Sequence, residues 1–198
     1  MSMLAIYIDG GYLDNISREE YSTRVDVAKL GEEIRKVVSS KSKDSVDILR
    51  IFYYDCLPYQ SRVPTLEEAE RFSKKRKFFY TIGRIPRVKV REGILKFRGI
   101  DKMSGNPIFQ QKRVDLQLGL DFALLSGKRA ISHAAIVTGD SDLLPAFEVA
   151  KTEGILVWLF HGPSKARKDG CPTYAPELWN EADERYEMDA AFFTAVRR

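Results

Sequence analysis

Four near-continuous apolar runs limit what this chain can become. They are Met3–Ile8, Val46–Tyr54, Ala134–Val137 and Ile155–Phe160. Short runs of this kind suit strands buried on both faces, as in a parallel sheet covered by helices. Helical patterns lie between them. Val27, Leu30, Ile34, Val37 and Val38 form a stripe within 25–38, and Thr65-Leu66-Glu67-Glu68 is a capping box opening a helix that runs to Tyr80. Val114–Leu125 is apolar and helical, Leu143–Glu153 forms the next helix with Gly154 as its stop, and Leu178–Ala195 supplies one or two closing helices. Tyr12–Tyr21 reads as a loop or short helix. Strands alternating with helices make an α/β sandwich with a central, mostly parallel sheet the economical fold.

The totals agree with a single domain over residues 1–198. The chain is 44% hydrophobic and 30% charged, enough for a sizeable core. No apolar run reaches the roughly 18 residues of a membrane helix. Met1–Asp9 lacks a basic leader region, so a cytoplasmic protein without a membrane partner is expected. Two cysteines and two histidines without paired spacing argue against a structural zinc site.

The net charge of +4 conceals an asymmetry. Residues 71–113 carry 14 Lys and Arg against two acids, a net +12 that leaves −8 for the rest. Such a block favours a polyanionic partner. Within it, Arg87–Arg91 alternates basic and apolar residues and Ile94–Phe97 is strand-like. A basic β-hairpin insertion over about 84–110 is expected, turning at Glu92-Gly93, with a flexible loop at 101–110. Candidate contacts to a nucleic-acid backbone are Lys74, Lys75, Arg76, Lys77, Arg87, Lys89, Arg91, Lys112 and Arg113. The bland alternative for Lys74–Lys77 is a solvated helix face. Phe78, Phe79 and Tyr80 could stack on unpaired bases or belong to the core.

The carboxylates fall at strand ends. Asp9 ends the first run, and Gly139-Asp140-Ser141-Asp142 follows the third, with Pro145 suited to the next helix's first turn. Asp142 could serve only as that helix's N-cap, with Asp140 as a turn residue. In open parallel sheets, sites form beyond the carboxyl ends of strands where the strand order reverses. Asp9, Asp140 and Asp142 would then share a crevice. Asp115 begins the preceding helix, and spacing alone leaves open which edge of the sheet that helix starts from. Two carboxylates about 5 Å apart repel by roughly 3 kcal/mol at an effective dielectric near 20. Crowded acids therefore either hold a proton or gather around a divalent cation. An all-oxygen set suits Mg²⁺ or Mn²⁺, which activate water and stabilise in-line displacement at phosphorus. Asp121, six residues past Asp115, points elsewhere on the helix and is a supporting candidate.

Three stretches carry a resemblance: Ile6-Tyr7-Ile8-Asp9-Gly10-Gly11-Tyr12, Lys112-Arg113-Val114-Asp115 with Asp121, and Val137-Thr138-Gly139-Asp140-Ser141-Asp142 with Pro145. Together they resemble the NYN domain, of the LabA-like branch of the PIN-like nuclease superfamily, over a motif-bearing core of residues 3–160, with closing helices at about 176–198. The resemblance implies a PIN-like α/β/α sandwich and a metal-dependent endoribonuclease. It makes Asp9, Asp115, Asp140 and Asp142 both the catalytic and the Mg²⁺- or Mn²⁺-binding residues, and RNA the partner; a homo-oligomer is compatible with it. It also implies that Asp115 starts its helix in the site. Many relatives carry Asn three places after the first Asp, where this chain has Tyr12. That departure keeps a second function in view, a catalytically weak or inactive RNA-binding or regulatory module on the same fold. A haloacid dehalogenase-type phosphatase ranks low, because position 11 is Gly where that chemistry needs a second Asp.

Overall fold

The central strand, β1 (Ser2–Asp9), is the first of those apolar runs, and Leu4–Ile8 are wholly excluded from water. The computed structural model describes residues 2–101, 103 and 107–198, with side chains for all of these except 107 and 110–112. Among them the elements continue as α1 (Gly10–Glu19), α2 (Val27–Ser42), β2 (Val46–Cys56), α3 (Leu66–Gly83), β3 (Val88–Ile100) and β4 (Pro107–Lys112). After these come α4 (Val114–Gly127), β5 (His133–Val137), a 3-10 turn at Ser141–Leu143, α5 (Leu144–Thr152), β6 (Leu156–His161), α6 (Pro176–Glu181), β7 (Glu184–Glu187) and α7 (Ala190–Ala195).

The seven-stranded sheet has the order β4-β3-β2-β1-β5-β6-β7, parallel except for the β3–β4 pair. Helices cover both faces. Leu13, Ile16, Leu30, Ile34, Phe79, Phe192 and Phe193 build one core with α1, α2, α3 and α7. Leu118, Phe122, Phe147 and Leu178 build the other with α4, α5 and α6. The α/β/α sandwich expected from the alternation is therefore present. No helix among the described residues is long and apolar enough to cross a membrane.

Several local expectations shift for physical reasons. Of the loop or short helix expected over Tyr12–Tyr21, the helix is what forms: α1 starts at once after β1, because the Asp9 carboxylate accepts the Gly11 and Tyr12 amides as its cap. The Thr65–Glu68 capping box forms as read. Glu92-Gly93 is not a hairpin turn. β3 runs straight through it, pairing with β2 from Val88 to Gly93 and with β4 from Ile94 onward. The expected loop at 101–110 already contains the start of β4 at Pro107, while Ser104, Gly105 and Asn106 lie outside the described residues. The closing segment holds a strand as well as helices. β7 is the polar stretch Glu-Arg-Tyr-Glu at a sheet edge, so it has no apolar run to announce it.

Because β4 returns antiparallel to β3 with Lys112 beside Ile94, the chain comes back to the carboxyl edge it had just left. α4 therefore starts at that edge and descends toward the start of β5. The turn into it is tight, with Arg113 in the left-handed region at φ 77°.

Gly10 lets α1 lie directly on β2. A Cβ there would stand 2.6 Å from Tyr53 Cε1 and 2.8 Å from Asp55 Oδ2, and Tyr53 is buried. Gly10→Ala is expected to destabilise the fold by about 1–3 kcal/mol through overpacking. Chemical denaturation would measure it, and an unchanged midpoint would contradict this packing.

Candidate active site at the strand-order reversal

The strand order reverses between β1 and β5. The chain leaves β1 toward β2 and β3, then returns to β5 and continues to β6 and β7. Ile8 pairs with Val137, so Asp9 and Thr138 end neighbouring strands and the Gly139–Asp142 turn rises beside them.

Asp9 Oδ1 takes both amides, Gly11 N at 2.9 Å and Tyr12 N at 3.1 Å. Oδ2 makes no hydrogen bond among the described residues. Burial raises the Asp9 pKa to about 6, against the two amide bonds, and the charges of Asp115 and Asp55 push the same way as burial. Asp140 caps the 3-10 turn, its Oδ1 accepting the Asp142 amide at 3.0 Å. The capping residue is thus Asp140. The Asp142 carboxylate stands exposed in the turn. Asp115, at the first turn of α4, also has a raised pKa. Partial desolvation is the main cause, followed by the negative charges of Asp140 and Asp142. Asp115 is thus the electrostatic link, acting on Asp9 on one side and feeling Asp140 and Asp142 on the other.

The donor set is all oxygen, held at the open end of the sheet, and matches the preference of a hard divalent cation. In this arrangement the acids neighbour one another electrostatically, but among the described residues no three stand close enough to enclose an ion by themselves.

Three features of the site go beyond the sequence reading. Asp55 lies in β2, which extends beyond Tyr54. It is 5% exposed, its pKa is raised mainly by burial, and it ion-pairs with Lys75, which also reaches Asp14 at 3.7 Å. An acid closing an apolar strand, as Asp9 does, was the available signal. Tyr12 fills the crevice where Asn was expected. Its hydroxyl accepts the Gly162 amide at 2.8 Å and lies 3.4 Å from Thr173 Oγ1. Its ring covers Gly139, where a Cβ would stand 2.7 Å from Tyr12 Cε2. The third is the 162–175 loop, tied down over the crevice by Tyr12 and by Ala175 N donating to Gly139 O at 3.0 Å.

The basic candidates divide. Arg76, Lys77, Lys89 and Arg113 are exposed. Lys74 pairs with Glu70 at 3.2 Å on an exposed helix face. Lys75 is held by Asp55 and sits over the Phe78 and Phe79 rings. Arg87 binds Asp47 at 2.8 Å and the Ile48 carbonyl. Arg91 makes a bidentate pair with Asp121, 2.8 and 2.7 Å, to which Tyr54 also donates. Asp121 therefore locks β2 and β3 to α4 and stays out of the acid cluster. The Lys112 side chain lies outside the described residues. Phe79 is core, Phe78 half-buried and Tyr80 exposed. His133 is structural, accepting from Trp158 Nε1 at 3.2 Å.

The Asp9 shift has a consequence for stability. The folded pKa of about 6 exceeds the unfolded 3.8, so the native state binds the extra proton. Native stability is greatest below pH 3.8 with respect to this group and declines as pH rises toward 6. Asp9→Asn keeps the cap acceptor and removes the charge. In EDTA it is expected to exceed wild type at pH 8 by up to about 3 kcal/mol, the gain vanishing near pH 4. A pH series of thermal melts checks this, and a variant no more stable than wild type at pH 8 would refute it.

No curated protein matches the chain. Among solved structures it is similar to the CheB methylesterase catalytic domain of Thermotoga maritima, at 13% identity and a TM-score of 0.39 over 98% of this chain and 97% of that one. A likeness so slight bears on neither fold nor function. The family described as the NYN domain matches residues 3–186, a span that holds Asp9, Asp115, Asp140 and Asp142, and the chain belongs to that family.

Proposed function

We propose that this NYN domain, which we place in the LabA-like branch of the PIN-like superfamily, is a metal-dependent endoribonuclease. The supporting observation is the delivery of Asp115 to the edge where Asp9, Asp140 and Asp142 already lie: its charge acts on Asp9, and those of Asp140 and Asp142 act on it. Asp9 through its unengaged Oδ2, together with Asp115, Asp140 and Asp142, would hold Mg²⁺ or Mn²⁺, which would supply positive charge to the phosphate and to the attacking water.

The chain's own residues do the rest. Gly11 and Tyr12 amides orient the Asp9 carboxylate, and Arg113 and Lys89 offer exposed positive charge to the RNA backbone. Asp115 and Asp142 are exposed, which leaves their side chains free to change rotamer toward a shared ion.

Tyr12 favours a second reading. Its ring is bolted over Gly139, in the place where relatives offer a polar amide. A chain built this way could bind RNA without cutting it.

The two readings separate in one assay. Wild type incubated with single-stranded and structured RNA is expected to give products with Mg²⁺ or Mn²⁺ and none with EDTA, and Asp140→Asn to lower the rate by at least about 100-fold. Retained cleavage in Asp140→Asn would sink the acid-cluster mechanism. RNA binding that survives chelation, with no product under any ion, would establish the non-catalytic module.

A further inference from the structure

A groove of about 530 Å³ opens where β2 leaves the sheet, bounded by α1, α3 and the end of β2. That volume lies within the range of clefts that take ligands, roughly 300–1,000 Å³. It is on the face opposite α4. Its head adjoins the acid cluster, because Lys75 in its wall pairs with Asp55 and Asp14, and Asp55 bears on Asp9.

Six cations line the groove: Arg18, Arg24, Arg71, Lys74, Lys75 and Arg198. Asp14 is its lining carboxylate among the described residues. Three of the six, Arg18, Arg24 and Arg198, come from segments outside the +12 block. The tertiary fold joins them. Val25 bridges to Arg197, and Arg198 N donates to Arg24 O at 2.9 Å, which pairs the backbones of two arginines that both line the groove. Neither pairs with a carboxylate among the described residues. Arg18 with Asp14 (3.3 Å), Arg71 with Glu67 (3.8 Å) and Lys74 with Glu70 (3.2 Å) form solvent-exposed pairs within single helices. Such pairs are weak and exchange readily for phosphate. The floor is apolar, with Leu57, Pro58 and the half-buried ring of Phe78.

The geometry points to an unpaired RNA strand in this groove, on one side of the scissile phosphate, with its phosphates on the cationic walls and its bases on the apolar floor. A cationic rim around an apolar bed is the pattern of single-strand sites, since a duplex keeps its bases stacked away from such a floor. The choice of RNA rests on the nuclease reading above. The hairpin is a poorer track, because Arg87 and Arg91 are committed to Asp47 and Asp121.

The test measures binding in EDTA, where no cleavage intervenes. Fluorescence anisotropy of a short labelled oligouridylate, single-stranded or annealed to its complement, is followed over a salt series. Arg24→Gln/Arg198→Gln is compared with the charge-matched control Lys96→Gln/Lys128→Gln, two exposed lysines outside the groove and the acid cluster, circular dichroism verifying that both are folded. The groove variant is expected to lose about tenfold in affinity and to flatten the slope of log K against log salt by about 1.4, two counterions at about 0.7 each. The control should stay within about twofold of wild type by the same measure. Wild-type affinity in the groove variant, an equal loss in the control, or equal wild-type affinity for duplex would each overturn the proposal. Binding with these signatures but no product with metal would leave the groove and remove the nuclease. Metal-dependent cleavage with an unaffected groove variant would do the reverse.

Discussion

β1 pairs in parallel on both sides, with β2 along Ser2–Asp9 and with β5 along Leu4–Ile8. Most of the structure's chemistry follows from that double pairing. With both of its edges paired and helices packed on both of its faces, the strand leaves Leu4, Ala5, Ile6, Tyr7 and Ile8 fully buried. The same pairing forces the strand order to reverse beside it, and helices diverge from the reversal point to leave a crevice. Asp9 is the first residue able to reach water at the top of β1. It pays for that position with a pKa raised to about 6.

The acids are arranged by competition between burial and charge. Asp9 is the most desolvated of the proposed ligands, and its two amide hydrogen bonds only partly offset the burial. Asp115 sits nearer to water, with two like charges facing it. Asp55, 5% exposed, has its own cation in Lys75. One carboxylate is thus neutralised internally, whereas the others face outward without a protein cation described beside them. That difference separates a structural ion pair from a set of acids suited to an external cation.

The +12 block serves more than one purpose. Part of it is structural: Arg91 ties β3 to α4 through Asp121, and Arg87 ties the start of β3 to β2 through Asp47 and Ile48. Lys75 stabilises Asp55. Lys74 and Arg71 join Arg18, Arg24 and Arg198 along a groove, so its positive charge is gathered from segments far apart in the sequence.

The sequence by itself determined the layered α/β architecture, because β-branched apolar runs too short for helices must be covered on both faces. It also located Asp9, Asp140 and Asp142 at strand ends, since charge after an apolar run marks where a strand meets water. The capping box at Thr65 was legible for the same local reason: its hydrogen bonds lie within one turn. Only tertiary structure decided the position of Asp115. The hairpin of β3 and β4 brings the chain back to the edge it left, and that depends on pairing between Ile94 and Lys112 that no local periodicity encodes. Only tertiary structure revealed β7, Asp55 as a neighbour of Asp9, and Tyr12 clamped between Gly139 and Gly162. Each is a contact between segments far apart along the chain, where burial and charge are set by what the fold brings near and residue order carries no direct sign of it.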